Sequence, residues 1–209
     1  ARKHQAYKRV RRMKELFVAH KPSDATAVAI TLTFGDDDID KELDVQTLRK
    51  MTMKRFSKLR EKSKWWRNAI HGGIASFECT RNKQKGTHHP HLHIVAWSGM
   101  KWPYPIDEFK QNMQAHGFGR MCTIETAYTK DKQGLRNYRD PEGAIWYALK
   151  YALKDSVLGT KKGRTMTKFG NLYGAKWNTE LSAYKALIHR YQAVDIATPP
   201  SHEVAWREH

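Results

Sequence analysis

The chain has 209 residues, of which 38 are Lys or Arg and 21 are Asp or Glu, so its formal net charge is +17. Hydrophobic residues make up 40% and aromatic residues 11%, which excludes a disordered basic tail and is typical of a globular chain. Only two cysteines are present, which argues against a disulfide scaffold, and no apolar run reaches 18 residues, which excludes a transmembrane helix. The charge favours a polyanionic partner over a role in solubility alone. The cysteine usage and a polar N-terminus favour a cytoplasmic location.

The first predicted elements are a basic helix, a strand and a long second helix. Apolar residues recur at helical spacing from about residue 3 to 19. The polar side of this helix, which could also be a simple solvated face, carries three arginines that we predict to contact phosphates: Arg9, Arg11 and Arg12. Residues 27–34 alternate apolar side chains with Thr31 and Thr33, which predicts a strand with one buried and one polar face. A long helical pattern follows over about 45–68.

The middle of the chain predicts a hairpin, a helix, a strand and a further helix. Strands over 71–80 and 88–97 are joined by a polar loop, which indicates an antiparallel hairpin. A helix is predicted over 105–116, a strand over 119–128, and a strong helix from Pro141 to about residue 154. No helix, strand or chemical role is predicted for the segment around residues 169–174.

The order strand, helix, strand, strand, helix, strand predicts the fold class. It is the order of a ferredoxin-like or RNA-recognition-like α+β domain, with a central antiparallel sheet and flanking helices. We therefore predict a single domain. Residues 1–24 form a basic helix and linker, residues 25–175 form the core, and residues 176–209 form a helical extension.

The most informative segment is the predicted strand that carries His89, His91 and His93. Because side chains alternate along a strand, these three share one face. Two imidazoles so placed can chelate one cation, and an added carboxylate admits Mg²⁺ or Mn²⁺. Glu78 lies in the partner strand of the hairpin and is predicted to complete this metal site, the alternative being plain exposure on an edge strand.

The second informative segment repeats Tyr-Ala-Leu-Lys twice. In a helix this spacing places Tyr147 and Tyr151 on one face, with Lys150 and Lys154 nearby; the alternative is an ordinary amphipathic core helix. A phenol has a pKa near 10 and becomes a nucleophile when a cation or base stabilises the phenolate. A divalent ion would polarise a phosphodiester, and the lysines would stabilise the developing charge. Together these features predict DNA strand transfer through a phosphotyrosine.

At these positions the sequence resembles the HUH endonucleases, and within them the rolling-circle replication initiators of plasmids and phages. Residues 29–33 are similar to the first motif of the family. Residues 77–80 followed by 89–95, with His-Leu-His at their centre, are similar to its metal motif. Residues 147–154 are similar to its catalytic helix. The resemblance spans about residues 25–175 and makes this region an HUH endonuclease (nicking) core.

The resemblance implies a nickase and ligase that acts on single-stranded or hairpin origin DNA. It implies a covalent 5′-phosphotyrosine and a free 3′-hydroxyl, with Tyr151 as the first nucleophile and Tyr147 as the second, the pattern of phage-type members. The implied cofactor is Mg²⁺ or Mn²⁺, held by His91, His93 and Glu78, with His89 as an alternative ligand. A host helicase and polymerase are expected partners, since no phosphate-binding loop of the helicase type occurs. Three more basic residues are predicted DNA contacts: Lys161, Lys162 and Arg164.

Three alternatives remain open from the sequence. A related HUH transposase or relaxase shares the same chemistry. A histidine-triad nucleotide hydrolase fits the histidine string, but it leaves the charge, Glu78 and the tyrosines unexplained and needs no metal. A non-catalytic nucleic-acid-binding module could hold structural zinc on His91 and His93, although such a sheet is expected to expose aromatic residues for base stacking.

Overall fold

The computed structural model describes residues 2–34, 43–81, 87–127, 129–130, 136–137 and 166–175, with the backbone alone for 2–10, 129–130 and 136–137. All described residues belong to one unit of the chain, Ala1–Ala175. The predicted extension at 176–209 lies outside the described residues and stays a prediction.

From α1 to β4 the helices and strands follow the predicted order, apart from the division of the second helix; the last three described strands were not predicted, and the helix predicted over 141–154 lies outside the described residues. The described helices are α1 (Arg2–Ala19), α2 (Val45–Lys62), α3 (Lys64–Ala69) and α4 (Ile106–Ala115). The described strands are β1 (Thr26–Thr33), β2 (Ile70–Arg81), β3 (His88–Ser98), β4 (Thr123–Thr126), β5 (Thr129–Lys130), β6 (Arg136–Asn137) and β7 (Met166–Gly170). None of the described helices has the length and apolar character needed to cross a membrane.

Five of the described strands form one antiparallel sheet in the order β4-β1-β3-β2-β7. β3 pairs with both β1 and β2, and β1 also pairs with β4, always antiparallel. Each helical connection therefore joins two parallel strands with an antiparallel strand between them. This is the pair of interleaved split βαβ units of the ferredoxin-like fold. The predicted α+β class, with a central antiparallel sheet and flanking helices, is confirmed.

One face of the sheet is apolar and is covered by helices. Leu32, Leu92 and Ile94 point from the central strands into a core that also holds Leu48 and Phe56 of α2. All five side chains are at most 1% exposed. Because β-strand side chains alternate, this burial leaves the histidines of β3 on the opposite face.

The N-terminal helix α1 packs on that opposite face. The ring of Phe17 stacks on that of Trp97, with centroids 4.3 Å apart and an interplanar angle of 13°. The indole Nε1 of Trp97 also donates a hydrogen bond to the carbonyl oxygen of Phe17 at 2.8 Å. Ile74 and Val95 complete the buried cluster beneath this contact. The basic helix is thus an integral part of the fold and covers the C-terminal half of β3.

We expect Phe17→Ala to lower the free energy of unfolding by about 3–5 kcal/mol, because Phe17 is fully buried and its removal leaves a cavity. Urea denaturation followed by tryptophan fluorescence measures this loss. Trp102→Ala is the matched control, since that ring is 77% exposed and its loss should change the free energy by less than about 0.5 kcal/mol. A loss below about 1 kcal/mol for Phe17→Ala would contradict the packing of α1 on the sheet.

The long helix predicted over 45–68 is divided at Ser63. The Ser63 backbone N–H closes α2 by donating to Leu59, while its side-chain oxygen accepts from the N–H of Trp66 and caps α3. The hydroxyl also lies 2.7 Å from Asn112 of α4. A serine gives no strong helix-breaking signal, so the division is set by this capping contact.

The structure also corrects the prediction for the last strands. β4 is shorter than the predicted 119–128, because Gly119 and Cys122 contact Thr33 in an irregular turn before regular pairing begins. β7 was not predicted, and it pairs with β2 where both strands carry glycine. Gly170 has φ +62°, and a Cβ there would lie 2.2 Å from the carbonyl oxygen of His71. Glycine is therefore required for this close approach.

Candidate active site

The register of the central strands brings polar side chains from three strands together on the sheet face opposite α2. In β3, His91 lies directly opposite Glu78 of β2, and His93 lies opposite Ser76. On the other side, His91 pairs with Thr33 of β1 and His93 with Thr31. All of these side chains share one face because strand partners point the same way. We call the set His91, His93 and Glu78 the histidine site.

His93 and Glu78 form a direct contact. The Nε2 atom of His93 lies 2.8 Å from Oε2 of Glu78, and their side chains are only 16% and 13% exposed. Oγ1 of Thr31 lies 3.4 Å from the other ring nitrogen, Nδ1. A carboxylate accepts from Nε2–H, and a neutral imidazole then accepts from the threonine hydroxyl. The burial of Glu78 overturns the alternative that this carboxylate is an ordinary exposed residue of an edge strand.

His91 lies beside this pair and favours the neutral state. Its ring centroid is 6.2 Å from that of His93. Burial lowers the pKa of His91 below the ordinary histidine value, and the neighbouring His93 and His89 lower it further, while Glu78 acts in the opposite direction. Neutral imidazole is the form that binds a metal ion.

His89 is placed differently from the other two histidines. It lies one pair further along the hairpin, opposite Thr80. Its Nε2 atom is 3.4 Å from the hydroxyl of Thr87, while Thr80 reaches His91 Nε2 at 3.5 Å. The predicted ligand pair His93 and Glu78 is thus in contact, whereas the alternative ligand His89 has a polar contact of its own.

The donor set of the histidine site fits a divalent cation in its chemistry. Two neighbouring ligands on an octahedral ion with bonds of about 2.1 Å lie about 3.0 Å apart, close to the 2.8 Å between His93 Nε2 and Glu78 Oε2. Two imidazoles that are neighbouring ligands of one ion have ring centres about 4.5–5.3 Å apart, and the rings of His91 and His93 are further apart than this, at 6.2 Å. As the side chains stand, no group of three or more His, Cys, Asp or Glu in the described ranges is arranged to hold a metal ion. The third ligand is therefore not in place in this arrangement.

The predicted basic surface is described in part. Arg11 and Arg12 are exposed on α1, and the backbone of Arg9 belongs to the same helix. Arg11 pairs with Glu15 at 3.2 Å, although its side chain remains 71% exposed. The helix packs on the face that carries the histidines, and Trp97 beneath it is about 13 Å along β3 from His93 at 3.3 Å per residue. The structure therefore places α1 on the same face of the sheet as the histidine site.

The remaining predicted site residues lie outside the described residues. These are Tyr147, Lys150, Tyr151, Lys154, Lys161, Lys162 and Arg164. Their proposed roles stay predictions.

The hydroxyl groups that surround the histidines were not predicted from the sequence. Thr31 contacts His93, and two further hydroxyls of the same face, those of Ser76 and Thr33, are buried without a hydrogen-bond partner within the described part of the chain. The signal was present for β1, since Thr31 and Thr33 alternate with its apolar residues. The pairing of Ser76 with His93 depends on strand register, which the sequence does not state.

Comparisons with protein-family models, curated proteins and solved structures each found no match.

Proposed function

We propose that the protein is a rolling-circle replication initiator that nicks and rejoins single-stranded origin DNA through a covalent phosphotyrosine. The observation that supports this best is the histidine site. Two alternating histidines of a central strand and a partner-strand carboxylate share one polar face of a ferredoxin-like sheet, and His93 and Glu78 are in contact. This is the arrangement that the resemblance to the HUH endonucleases implies.

The proposed chemistry is a transesterification by tyrosine. The Oη atom of Tyr151 attacks the scissile phosphorus, and the bond from phosphorus to O3′ breaks as the bond to Oη forms. The phenol loses its proton and the leaving oxygen gains one, which gives a 3′-hydroxyl and a 5′-phosphotyrosine. Attack by a 3′-hydroxyl on the phosphotyrosine reverses the step and rejoins DNA, and Tyr147 serves the second transfer. Lys150 and Lys154 stabilise the charge that develops on the phosphate oxygens.

The histidine site supplies the electrophilic side of this proposal. His91, His93 and Glu78 would hold a Mg²⁺ or Mn²⁺ ion, which when bound polarises a phosphodiester and offsets its charge. The lowered pKa of His91 keeps that imidazole neutral near pH 7, as ligation requires. Thr31 orients the ring of His93 through Nδ1.

The same face argues against a base-stacking nucleic-acid module. Apart from the histidines, Trp97 is the one aromatic side chain that the described strands place on this face, and it is 2% exposed and lies under Phe17. A sheet that reads single-stranded RNA exposes its aromatic rings for stacking.

We place the reaction in the cytoplasm, in line with Cys79 and Cys122, which are both present as thiols.

The test is adduct formation on labelled single-stranded origin DNA. With Mn²⁺ we expect a protein–DNA species that survives SDS electrophoresis, and with excess EDTA we expect none, because the electrophile is no longer polarised. Readdition of Mn²⁺ in excess of EDTA is the control and should restore the adduct. An adduct that forms equally in EDTA, or none on the cognate DNA, would contradict the proposal.

A further inference from the structure

A row of four lysines follows the outer side of α2. Lys50, Lys54, Lys58 and Lys62 are spaced four residues apart, and all four are exposed. Residues four apart on a helix lie on one face, so these ammonium groups are aligned over about 18 Å at 1.5 Å per residue. We call this set the lysine row.

The lysine row is not explained by contacts within the described part of the chain. Lys50 interacts electrostatically with the carboxylate of Asp44, the N-cap of α2, whereas none of the ion pairs found in the described residues involves Lys54, Lys58 or Lys62. Glu61, the one acidic residue between 45 and 69, lies 3.3 Å from the hydroxyl of Ser57. Like charges at this spacing destabilise a helix, so the four lysines do not stabilise α2 through one another, although Lys62 lies in the last turn, where a cation is favourable.

Arginines of the same helix are used differently. The guanidinium of Arg55 lies over the ring of Phe34 and donates to the carbonyl of Gly117. Arg60 lies over the rings of Phe56 and Phe169, 5.0 and 5.6 Å from their centroids. α2 therefore turns these arginines toward the protein and its lysines toward solvent, which leaves the four ammonium groups accessible to an external polyanion.

The lysine row lies on the other side of the sheet from the histidine site. α2 packs through Leu48, Phe56 and Leu59 on the apolar face, and the histidines occupy the opposite face. A phosphate bound near His91 and His93 is therefore separated from the row by the sheet and a helix layer. A polyanion that binds the lysine row must therefore be a second segment of the nucleic acid or a separate molecule.

We propose that the lysine row binds the phosphate backbone of duplex DNA, independently of any cleavage at the histidine site. A duplex segment of about 18 Å carries about ten phosphates, enough to meet four aligned cations. Single-strand binding uses exposed aromatic rings, and none of the large exposed hydrophobic residues in the described ranges belongs to α2. A helix fits the major groove of B-DNA, about 12 Å wide, and not the narrow major groove of A-form RNA.

The experiment measures binding of the full chain to a random 20-base-pair DNA duplex by fluorescence anisotropy between 50 and 200 mM salt. In the row variant, all four lysines are replaced: Lys50→Gln, Lys54→Gln, Lys58→Gln and Lys62→Gln. We expect the slope of log affinity against log salt to fall by about 3 to 4, and Kd at 100 mM to rise at least about tenfold. The unfolding temperature should not fall, because glutamine has a helix propensity close to that of lysine and the repulsion between like charges is removed.

The control removes the same charge from four exposed cations outside α2. Its substitutions are Lys21→Gln, Arg81→Gln, Lys101→Gln and Arg120→Gln. We expect its slope to change by less than half as much, because these residues do not form a row. Equal losses in the two variants would overturn the proposal.

Two further arms identify the ligand. An RNA duplex bound as tightly as DNA, with the same dependence on the row, would overturn the assignment to DNA. Tight binding of polyglutamate that is lost in the row variant would indicate an acidic protein partner instead. Cleavage of a short single-stranded substrate should stay within about twofold in the row variant, since four surface phosphate contacts do not touch the reacting centre. If no variant cleaves DNA, the proposed function fails, but the duplex-binding result still decides this inference.

Discussion

His91→Ala and His93→Ala should each reduce the rate of DNA cleavage at least about a thousandfold while single-stranded DNA binding stays within about threefold. The magnitude follows because a bound cation contributes several kcal/mol to stabilising the transition state, and each 1.4 kcal/mol changes a rate tenfold. DNA affinity comes mainly from cations that contact phosphates, and those residues are unchanged. Single-turnover cleavage and anisotropy on the same oligonucleotide measure the two quantities.

Two histidine controls make this prediction specific. His71→Ala removes an exposed imidazole from β2 and should leave cleavage unchanged. His89→Ala tests the alternative ligand, and a loss below about tenfold would assign His89 to the surroundings of the site. Because His93→Ala leaves Glu78 without its 2.8 Å partner, thermal unfolding must accompany the assay. Full cleavage by folded His91→Ala and His93→Ala proteins would contradict the proposed role of the histidine site.

The sheet could be predicted because apolar and polar residues alternate along its strands, which shows which side chains face the core. In β1, Ile30 and Leu32 alternate with Thr31 and Thr33, and the structure buries the first two and turns the others toward the histidines. β7 could not be found in this way. Its pairing partner lies about 95 residues earlier in the chain, and the tight contact shows in the sequence only as the glycines of both strands, such as Gly72.

The sequence predicts which residues of the candidate site share one face of the sheet, but not how they pair across the strands. Alternation alone places His89, His91 and His93 on one face, but it treats them as equivalent. In the structure Glu78 lies opposite His91 and contacts His93. These two contacts distinguish His91 and His93 from His89. Side-chain reach across a strand pair is a tertiary property, so a sequence pattern can name the ligand candidates but not their contacts.

The lysine row was not predicted, for a different reason. The helical pattern of α2 was interpreted through its apolar side, which does form the core. Its basic residues contribute to the net charge of +17, but a total charge does not state on which side of the sheet the cations lie. Once the fold is known, the charge separates into a basic helix on the histidine face and the lysine row on the other.

Tyr147→Phe/Tyr151→Phe should abolish the covalent DNA adduct, a loss of at least about a thousandfold, while the histidine site and its metal binding stay intact. Phenylalanine keeps the ring but lacks the oxygen that bonds to phosphorus, so no covalent intermediate can form. Denaturing electrophoresis of labelled DNA in Mn²⁺ measures the adduct, and calorimetric titration with Mn²⁺ measures the metal site. If Tyr151 acts first, Tyr151→Phe alone removes cleavage, whereas Tyr147→Phe cleaves once and fails to transfer the strand again.

Tyr173→Phe is the matched control for this loss, because its ring is 81% exposed and the substitution removes the same hydroxyl from another site. It should form the adduct at the normal rate. An adduct that persists in the double variant would assign the nucleophile to another residue and leave the histidine site with a different reaction. Cleavage without any adduct would instead show water as the nucleophile, since a metal-polarised phosphate can also be hydrolysed directly. The double variant and the histidine variants therefore separate the two halves of the proposal, because one removes the nucleophile and the other removes the group that polarises the phosphate.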